Sequence, residues 1–533
     1  MAPVRTSSSR PEPRLAPTFV ASRARHYRRP GGPWDRGALD GAFPRAATAA
    51  VVDGVERLTG TELDEAVGIL AGRLAASGVR RHHVVSWQLP NGVAGYLLYR
   101  ACWRLGAVAA PLHHRMGRAE VAAALEQVNP TAVLAATTMP AAEHADSLVV
   151  GGGRLSEVAE VLHRGPPVAP GAVAVRGSDL AVALFTSGST GVPKAALHTH
   201  RALGYKAALM VQVHGLGPGD AVLMPAPLAH VSGLLNGVLI AARAGIPSVL
   251  MAAWDPDEGL RRIEDERVSF MGAPPVFFSQ MAASSAFGAE RVRSLRLIST
   301  GGASVSPAFV DATSAAFACR VKRTYGSTEA PTVTTSGPDD PPGRARDTDG
   351  RPVGEVELAI CDPDSGARLG PGAPGEIWIR GPELFAGYTD AAVTAAVRSP
   401  RGGWYRSGDL GVVDDQGWLQ VVGRLSDIII RAGENISASE VEAVLEAHAA
   451  VRQAVAVAVP DPDVGERVAV FVEATAPFDL EACRAWFASQ GVTRYKTPEL
   501  VVQLEALPVL AAGKPDRAAM RKMAAQRHRL PTS

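Results

Sequence analysis

From about Trp34 onward, short continuous apolar runs alternate with stretches whose apolar residues recur at helical spacing. Residues 61–76 carry the helical pattern, with Thr61 as the expected cap, and residues 84–89 follow as a strand. A helix over 93–105 and a short strand over 107–111 come next. The rhythm returns in strand-like runs at 222–224, 248–250, 269–271 and 295–299, with no short-period repeat beneath it. Strands alternating with helices predict α/β layers in which parallel strands are covered by helices.

Between residues 353 and 422 the texture changes. Short strands at 356–360, 376–380 and 419–422 alternate with Gly- and Pro-rich turns, predicting a small β-rich subdomain. Beyond Gly423-Arg424-Leu425-Ser426-Asp427, a helix over 439–447, strands over 451–459 and 468–473 and a helix over 480–490 predict a compact α+β unit. The expected fold is therefore α/β. A large amino-terminal domain over 34–426 contains layered α/β subdomains and the β-rich one, and a small, mobile carboxy-terminal α+β domain over 427–533 is divided from it at Asp427. Residues 1–33 are rich in Arg, Ser and Pro with Glu12 as the only acid, and read as a disordered tail rather than a transit peptide.

Composition narrows the function classes. The 533 residues, 47% hydrophobic and 20% charged, suit a soluble globular protein of more than one domain. A formal net charge of +1 supplies no global attraction to nucleic acid or to a membrane, so any anion must be held locally. The richest apolar stretch, 237–253, is interrupted by Arg243 and Pro247, and no secretory apolar region opens the chain. A cytoplasmic location is expected. The scattered Cys102, Cys319, Cys361 and Cys483 read as buried apolar fillers in a reducing compartment.

The chemistry concentrates first in one loop. An apolar run over 180–184 leads into Phe185-Thr186-Ser187-Gly188-Ser189-Thr190-Gly191-Val192-Pro193-Lys194, and a second apolar segment follows at 195–197. Many backbone N–H groups, several hydroxyls and one cation over so short a span suit a polyphosphate. The spacing is not that of a Walker A loop, because Lys194 follows Pro193, three positions after Gly191.

Further segments join it: Gly301-Gly302-Ala303, Arg323-Thr324-Tyr325-Gly326-Ser327-Thr328-Glu329, Tyr405-Arg406-Ser407-Gly408-Asp409-Leu410, Gly423-Arg424-Leu425, Asp427 to Asn435, and Gly513-Lys514-Pro515-Asp516. They resemble, in sequence and in order, the signature motifs of the adenylate-forming (AMP-binding) enzymes, and most closely the acyl-CoA synthetases, and the resemblance runs from about Leu58 to Arg517.

The resemblance implies ATP binding by Thr186, Ser187, Gly188, Ser189, Thr190, Gly191 and Lys194, with Gly302 and Ala303 beside the adenine. It places Tyr325, Gly326, Ser327 and Thr328 along the nucleotide, and Asp409 and Arg424 on the ribose. Glu329 and Thr186 would ligate Mg²⁺, which prefers a few hard oxygens alongside phosphate. Lys514 would bridge the substrate carboxylate and the α-phosphate, offsetting the repulsion between two anions that must meet. Lys514, Glu329 and Thr186 are thus the expected catalytic set, and Asp427 the hinge on which the small domain turns. Gly433 and Glu434 would border the coenzyme A tunnel, where Ala432-Gly433 stands in place of the family's usual two glycines.

His230, Gly233, Gly301, Gly302 and Gly326 would border the acyl group, with Ala229 where many relatives carry an aromatic residue. Nothing from Pro227 to Asn236 is acidic, which argues against an amino acid as substrate. The implied activity is a two-step ligase that activates a hydrophobic (alicyclic, aromatic or medium-chain) carboxylic acid as its adenylate and transfers it to coenzyme A. The alternatives are an enzyme that loads a carrier protein, against which Gly433-Glu434-Asn435 argues, and an ATP-sensing pseudoenzyme, against which the full set Lys194, Glu329, Asp409 and Lys514 argues. The expected partner is a small-molecule carboxylic acid, with no nucleic acid and no stable membrane association. A homodimer is compatible with the sequence.

Overall fold

The computed structural model describes residues 15, 39–186, 193–303, 305–399, 402–432, 434–509 and 515–528. The expected tail (all but Leu15), the loop residues Ser187, Gly188, Ser189, Thr190 and Gly191, and Gly433 and Lys514 lie outside them.

Two mixed sheets carry the first compact unit, Met1–Glu357 with Ile379–Tyr405. In the six-stranded sheet, Ser147–Val150, Ala132–Ala136, Val84–Gln88, Val108–Pro111 and Leu180–Thr186 run parallel, and Lys194–Thr199 closes the edge antiparallel. The inner strands Val84–Gln88 and Ala132–Ala136 are buried at every position, as parallel strands covered on both faces must be. The nine-stranded sheet has a parallel block of Ala50–Val52, Pro247–Leu250, Val222–Met224, Phe270–Ala273, Leu297–Gly301 and Arg320–Tyr325. Antiparallel Arg57–Thr59 flanks one side, and Thr334–Thr335 with Arg351–Pro352 the other. The expected parallel layers are present, edged by antiparallel strands that in the nine-stranded sheet are only two or three residues long.

The helix Val93–Leu105 is buried along its whole length. It packs Tyr96, Tyr99 and Trp103 into the core, and its two arginines are paired: Arg100 with Asp40, and Arg104 with Asp40 and Asp64. Unpaired, a buried guanidinium would carry a prohibitive desolvation cost. The helix Gly60–Ala76 begins earlier than its apolar pattern suggests. Its cap is Thr59, not Thr61, because Glu62 reaches back to the Thr59 N–H (3.1 Å) and hydroxyl (3.0 Å).

The second unit comprises Leu358–Trp378 and Arg406–Ser533. It holds most of a four-stranded sheet in the order Glu357–Cys361, Gly375–Arg380, Tyr405–Val413, Leu419–Arg424. It also holds a five-stranded sheet in which Gly465–Ala474 pairs antiparallel with Val451–Asp461 and parallel with Leu500–Gln503. Ile429, Ile436, Val441, Leu445, Val470 and Phe487 form part of its core. Contacts therefore group the β-rich segment with the carboxy-terminal residues, and Asp427 lies inside this unit. Cys102, Cys361 and Cys483 are buried, Cys319 is partly exposed, and all four are free. No helix among the described residues is long and apolar enough to cross a membrane.

His214 ends the helix His200–His214, buried with its ring 4.6 Å from that of Phe270. Burial, then Lys322 and Arg296, hold its imidazole well below the ordinary range. Below about pH 6.5 the unfolded chain takes up a proton that the folded one refuses, so stability falls with pH by about 1.4 kcal/mol per unit. His214→Phe should remove about one proton's worth of that slope in urea titrations between pH 6.5 and 5; an unchanged slope contradicts this. Ala432, in the turn between Ile428–Arg431 and Glu434–Ser437, has φ 50°, a conformation that penalises a β-carbon. Ala432→Gly should raise the unfolding free energy of this unit by about 0.5–1 kcal/mol, read from denaturant midpoints.

Candidate active site

In an open sheet of parallel strands, ligands gather at the carboxyl ends, where loops leave without obstruction. The nine-stranded sheet delivers its candidate residues there. Val222–Met224 leads into the loop carrying His230, Leu297–Gly301 into Gly302 and Ala303, and Arg320–Tyr325 into Gly326, Ser327, Thr328 and Glu329. The register Ala273↔Thr300 and Gly301↔Thr324 aligns these ends.

Gly301 and Gly302 differ in what they tolerate. A β-carbon at Gly301 would lie 2.1 Å from the Thr324 carbonyl oxygen, so the strands could not pair with any other residue there. Gly302 has φ 78° and open space on its side-chain side. It leaves room for a flat ligand.

The Glu329 carboxylate is buried and accepts a hydrogen bond from the Tyr388 hydroxyl, while its backbone carbonyl accepts from the Phe385 N–H (2.9 Å). Among the described residues, no group donates to its second carboxylate oxygen, and no cluster of three metal-ligating side chains is present. A single held carboxylate with a spare hard oxygen fits Mg²⁺, which takes one or two protein oxygens and completes its shell with phosphate and water.

Thr186 and Lys194 face each other as the last pair of the hairpin, and the Thr186 hydroxyl donates to the Lys194 carbonyl (3.4 Å). Gln127 clamps the base: its amide N–H donates to the Pro193 carbonyl (2.6 Å), and its carbonyl accepts from the Ala195 N–H (3.3 Å). The hairpin is thus fixed at its base, where the two strands meet residues 187–192.

Around His230, the loop is held from beneath. Asn91 donates to the Ala226 carbonyl and accepts from the Leu228 N–H, both at 2.8 Å, and the Tyr99 hydroxyl donates to the Leu228 carbonyl (2.7 Å). His230 Nδ1 lies 2.9 Å from the Ser232 hydroxyl and accepts from the Ser232 N–H (3.3 Å). A β-carbon at Gly233 would meet the Pro227 carbonyl oxygen at 2.0 Å, so this turn needs glycine. The π-helix Gly233–Ile240 that follows is apolar except for Asn236, whose amide N–H donates to the Ser232 carbonyl (3.0 Å). Nearby, His113 stacks on His114 at 4.6 Å, and burial, with His114 and His230, pushes its imidazole down to about 3.

In the second unit, Asp409 and Arg424 are cross-strand partners joined by an ion pair, with the carboxylate buried. The Ser407 hydroxyl fixes the turn, accepting from the Asp409 N–H (3.1 Å) and donating to the Ile377 carbonyl (2.7 Å). The Asp427 carboxylate faces Arg517 (3.3 Å) and Arg521 (3.4 Å). Glu434 begins the exposed end of its strand. Val509 and Pro515 form an antiparallel bridge on either side of the segment containing Lys514.

Sequence reasoning missed Tyr388, Gln127 and the supports Asn91 and Tyr99. All four act across more than fifty residues, and none sits in a motif. His198 was also missed, although a histidine directly after the apolar run 195–197 was visible.

Comparisons with known proteins show the family. The family model described as AMP-binding enzyme matches residues 42–389, and the AMP-binding enzyme C-terminal domain matches 440–514. The medium-chain fatty-acid–CoA ligase of Escherichia coli K12 is 32% identical, over 95% of this chain and 93% of its own length. A feruloyl-CoA synthase from Amycolatopsis is 32% identical over 87% of this chain and 94% of its own. The ATP-bound MatB of Rhodopseudomonas palustris superposes with a TM-score of 0.83 at 25% identity, over 91% of this chain and 97% of that one. The chain belongs to the AMP-binding enzyme family, in its acyl-CoA ligase branch: it is an AMP-forming acid–thiol ligase that uses ATP, Mg²⁺ and coenzyme A.

Proposed function

We propose that this chain activates an apolar carboxylic acid (medium-chain, alicyclic or aromatic) and transfers it to coenzyme A. The observation that carries this choice of acid is the stretch from Ala226 to Ile240. It contains no acidic group to hold an ammonium, and its helix Gly233–Ile240 offers aliphatic side chains with Asn236 as the single polar one. Two similar proteins act, by name, on a medium-chain fatty acid and on a feruloyl group, one aliphatic and one aromatic. An apolar pocket with few polar groups accommodates both kinds.

In the first step the carboxylate attacks the α-phosphorus of ATP, the α–β anhydride bond breaks, and pyrophosphate leaves. In the second, the coenzyme A thiol, with a pKa near about 8.5, attacks the acyl carbonyl as thiolate and AMP leaves. Lys514 offsets the charge of the two anions in the first step, and Thr186 to Lys194 cradle the phosphates. Mg²⁺, when bound, shares the polyphosphate charge, and Glu329 with Thr186 would hold it. Asp409 and Arg424 take the ribose, while Gly302, Ala303, Tyr325, Gly326, Ser327 and Thr328 border the nucleotide. His230, Gly233, Gly301, Gly302 and Gly326 surround the carboxylate and acyl chain. Asp427 is the hinge between a large domain over 34–426 and a small one over 427–533, and Gly433 with Glu434 borders the thiol's path.

The test is a panel of acids assayed for coenzyme A-dependent AMP release. Medium-chain or aryl acids should give AMP and thioester together; acylation of a holo-carrier protein without any free coenzyme A thioester would establish the carrier-loading alternative instead. Lys514→Ala should cut acid-dependent pyrophosphate–ATP exchange by about 100-fold or more, yet leave thioester formation from supplied acyl-adenylate within about three-fold. Equal loss of both half-reactions would remove Lys514 from its assigned step. Asp427→Pro should give the opposite pattern, slowing thioester formation while sparing exchange.

A further inference from the structure

His198 lies on the strand Lys194–Thr199, four residues beyond Lys194 and on the same face of the strand. It is fully buried, and its Nε2 lies 2.8 Å from the carbonyl oxygen of Thr328, the residue before Glu329. A carbonyl can only accept, so Nε2 carries the proton and Nδ1 is left with a lone pair. That Nδ1 is buried without a partner among the described residues. An unsatisfied buried nitrogen costs stability that an aliphatic side chain would not, so the Nε2–H must be needed where it is.

The contact closes a circuit. The segment around Tyr388 lies alongside the same strand: Ala196 bridges Tyr388, the Leu197 N–H donates to the Gly387 carbonyl (2.9 Å), and the Thr389 N–H donates to the Ala195 carbonyl (3.0 Å). Tyr388 then reaches the Glu329 carboxylate. Two routes therefore run from one strand to one residue, through the Thr328 carbonyl and through the Glu329 side chain. Fixing a backbone carbonyl and the adjoining carboxylate from one rigid strand sets where the spare carboxylate oxygen stands relative to Thr186 and Lys194 on the same hairpin. Burial pushes the His198 imidazole down to about 4, so the ring that donates from Nε2 is neutral at working pH.

We propose that His198 is the positioning residue for metal-bound nucleotide: through the Thr328 carbonyl it holds Glu329 at a set place against the phosphate hairpin. This rests on Glu329 being the metal-facing carboxylate. It predicts a selective defect, in affinity for Mg·ATP and not for the nucleotide itself.

The experiment is calorimetric titration of the full chain, without acid or coenzyme A, using Mg·ATP and, separately, ATP in EDTA. His198→Leu should weaken Mg·ATP binding about ten-fold, the worth of one lost buried hydrogen bond, and change metal-free ATP binding by less than about two-fold. His198→Gln, whose side-chain N–H reaches a similar distance, should recover binding to within about three-fold of the parent. Tyr388→Phe, which cuts the other arm, should show the same metal-selective loss and carries the test if His198→Leu does not fold. Equal weakening of both nucleotide forms, or no change in either, overturns the proposal. A parent protein that binds ATP no better with Mg²⁺ than without defeats the prior assignment of Glu329, an outcome distinct from failure of the His198 variants alone.

Discussion

The antiparallel pairing of Lys194–Thr199 with Leu180–Thr186 is the interaction on which the first unit's geometry turns. Its five sheet-mates run parallel, and their carboxyl ends open to one edge. A hairpin at that edge does two things that a parallel crossover cannot. It fixes both ends of the loop between its strands, and it sends a strand back along the sheet's edge carrying further side chains. That returning strand meets the segment around Tyr388 and the carbonyl before Glu329. The parts that would face phosphate and the parts that would face metal are thereby built on one scaffold.

Much of this was legible in the sequence, because burial on both faces writes itself as apolar runs. The strands near 84–89, 222–224 and 451–459 and the helices near 93–105 and 480–490 appear within a residue or two of their predicted ends. What was not legible depends on partners distant in sequence. The sense of Lys194–Thr199 is set by the sheet it joins, not by its own composition. The strand Tyr405–Val413 hides behind Gly408 and a polar motif. Glu329 was found through its motif, but Tyr388, which holds it, lies fifty-nine residues away in an unmarked Gly-Tyr pair. The capping mistake at Thr61 had a local cure: the Thr59-x-x-Glu62 spacing was present in the sequence.

The first unit handles buried polarity in two ways. Where charge is buried it is paired, as with Arg100 and Arg104 on Asp40 and Asp64. Elsewhere it is avoided: His113, His198, His200 and His214 are all pushed down and stay neutral. Lys322, buried and donating to the Ser336 carbonyl (2.7 Å), is pushed down to about 7 by desolvation and by Arg320.

Gly302 limits how this enzyme could be reshaped. Among the ordinary L-residues, asparagine and aspartate best tolerate its left-handed backbone, and both are polar. Any substitution that adds bulk at this point of the sheet edge therefore adds polarity or strain with it. If Gly302 borders the acyl group as proposed, an engineer seeking a narrower, purely greasy cleft would have to insert the extra carbon elsewhere, because the main chain at this position couples size to hydrophilicity.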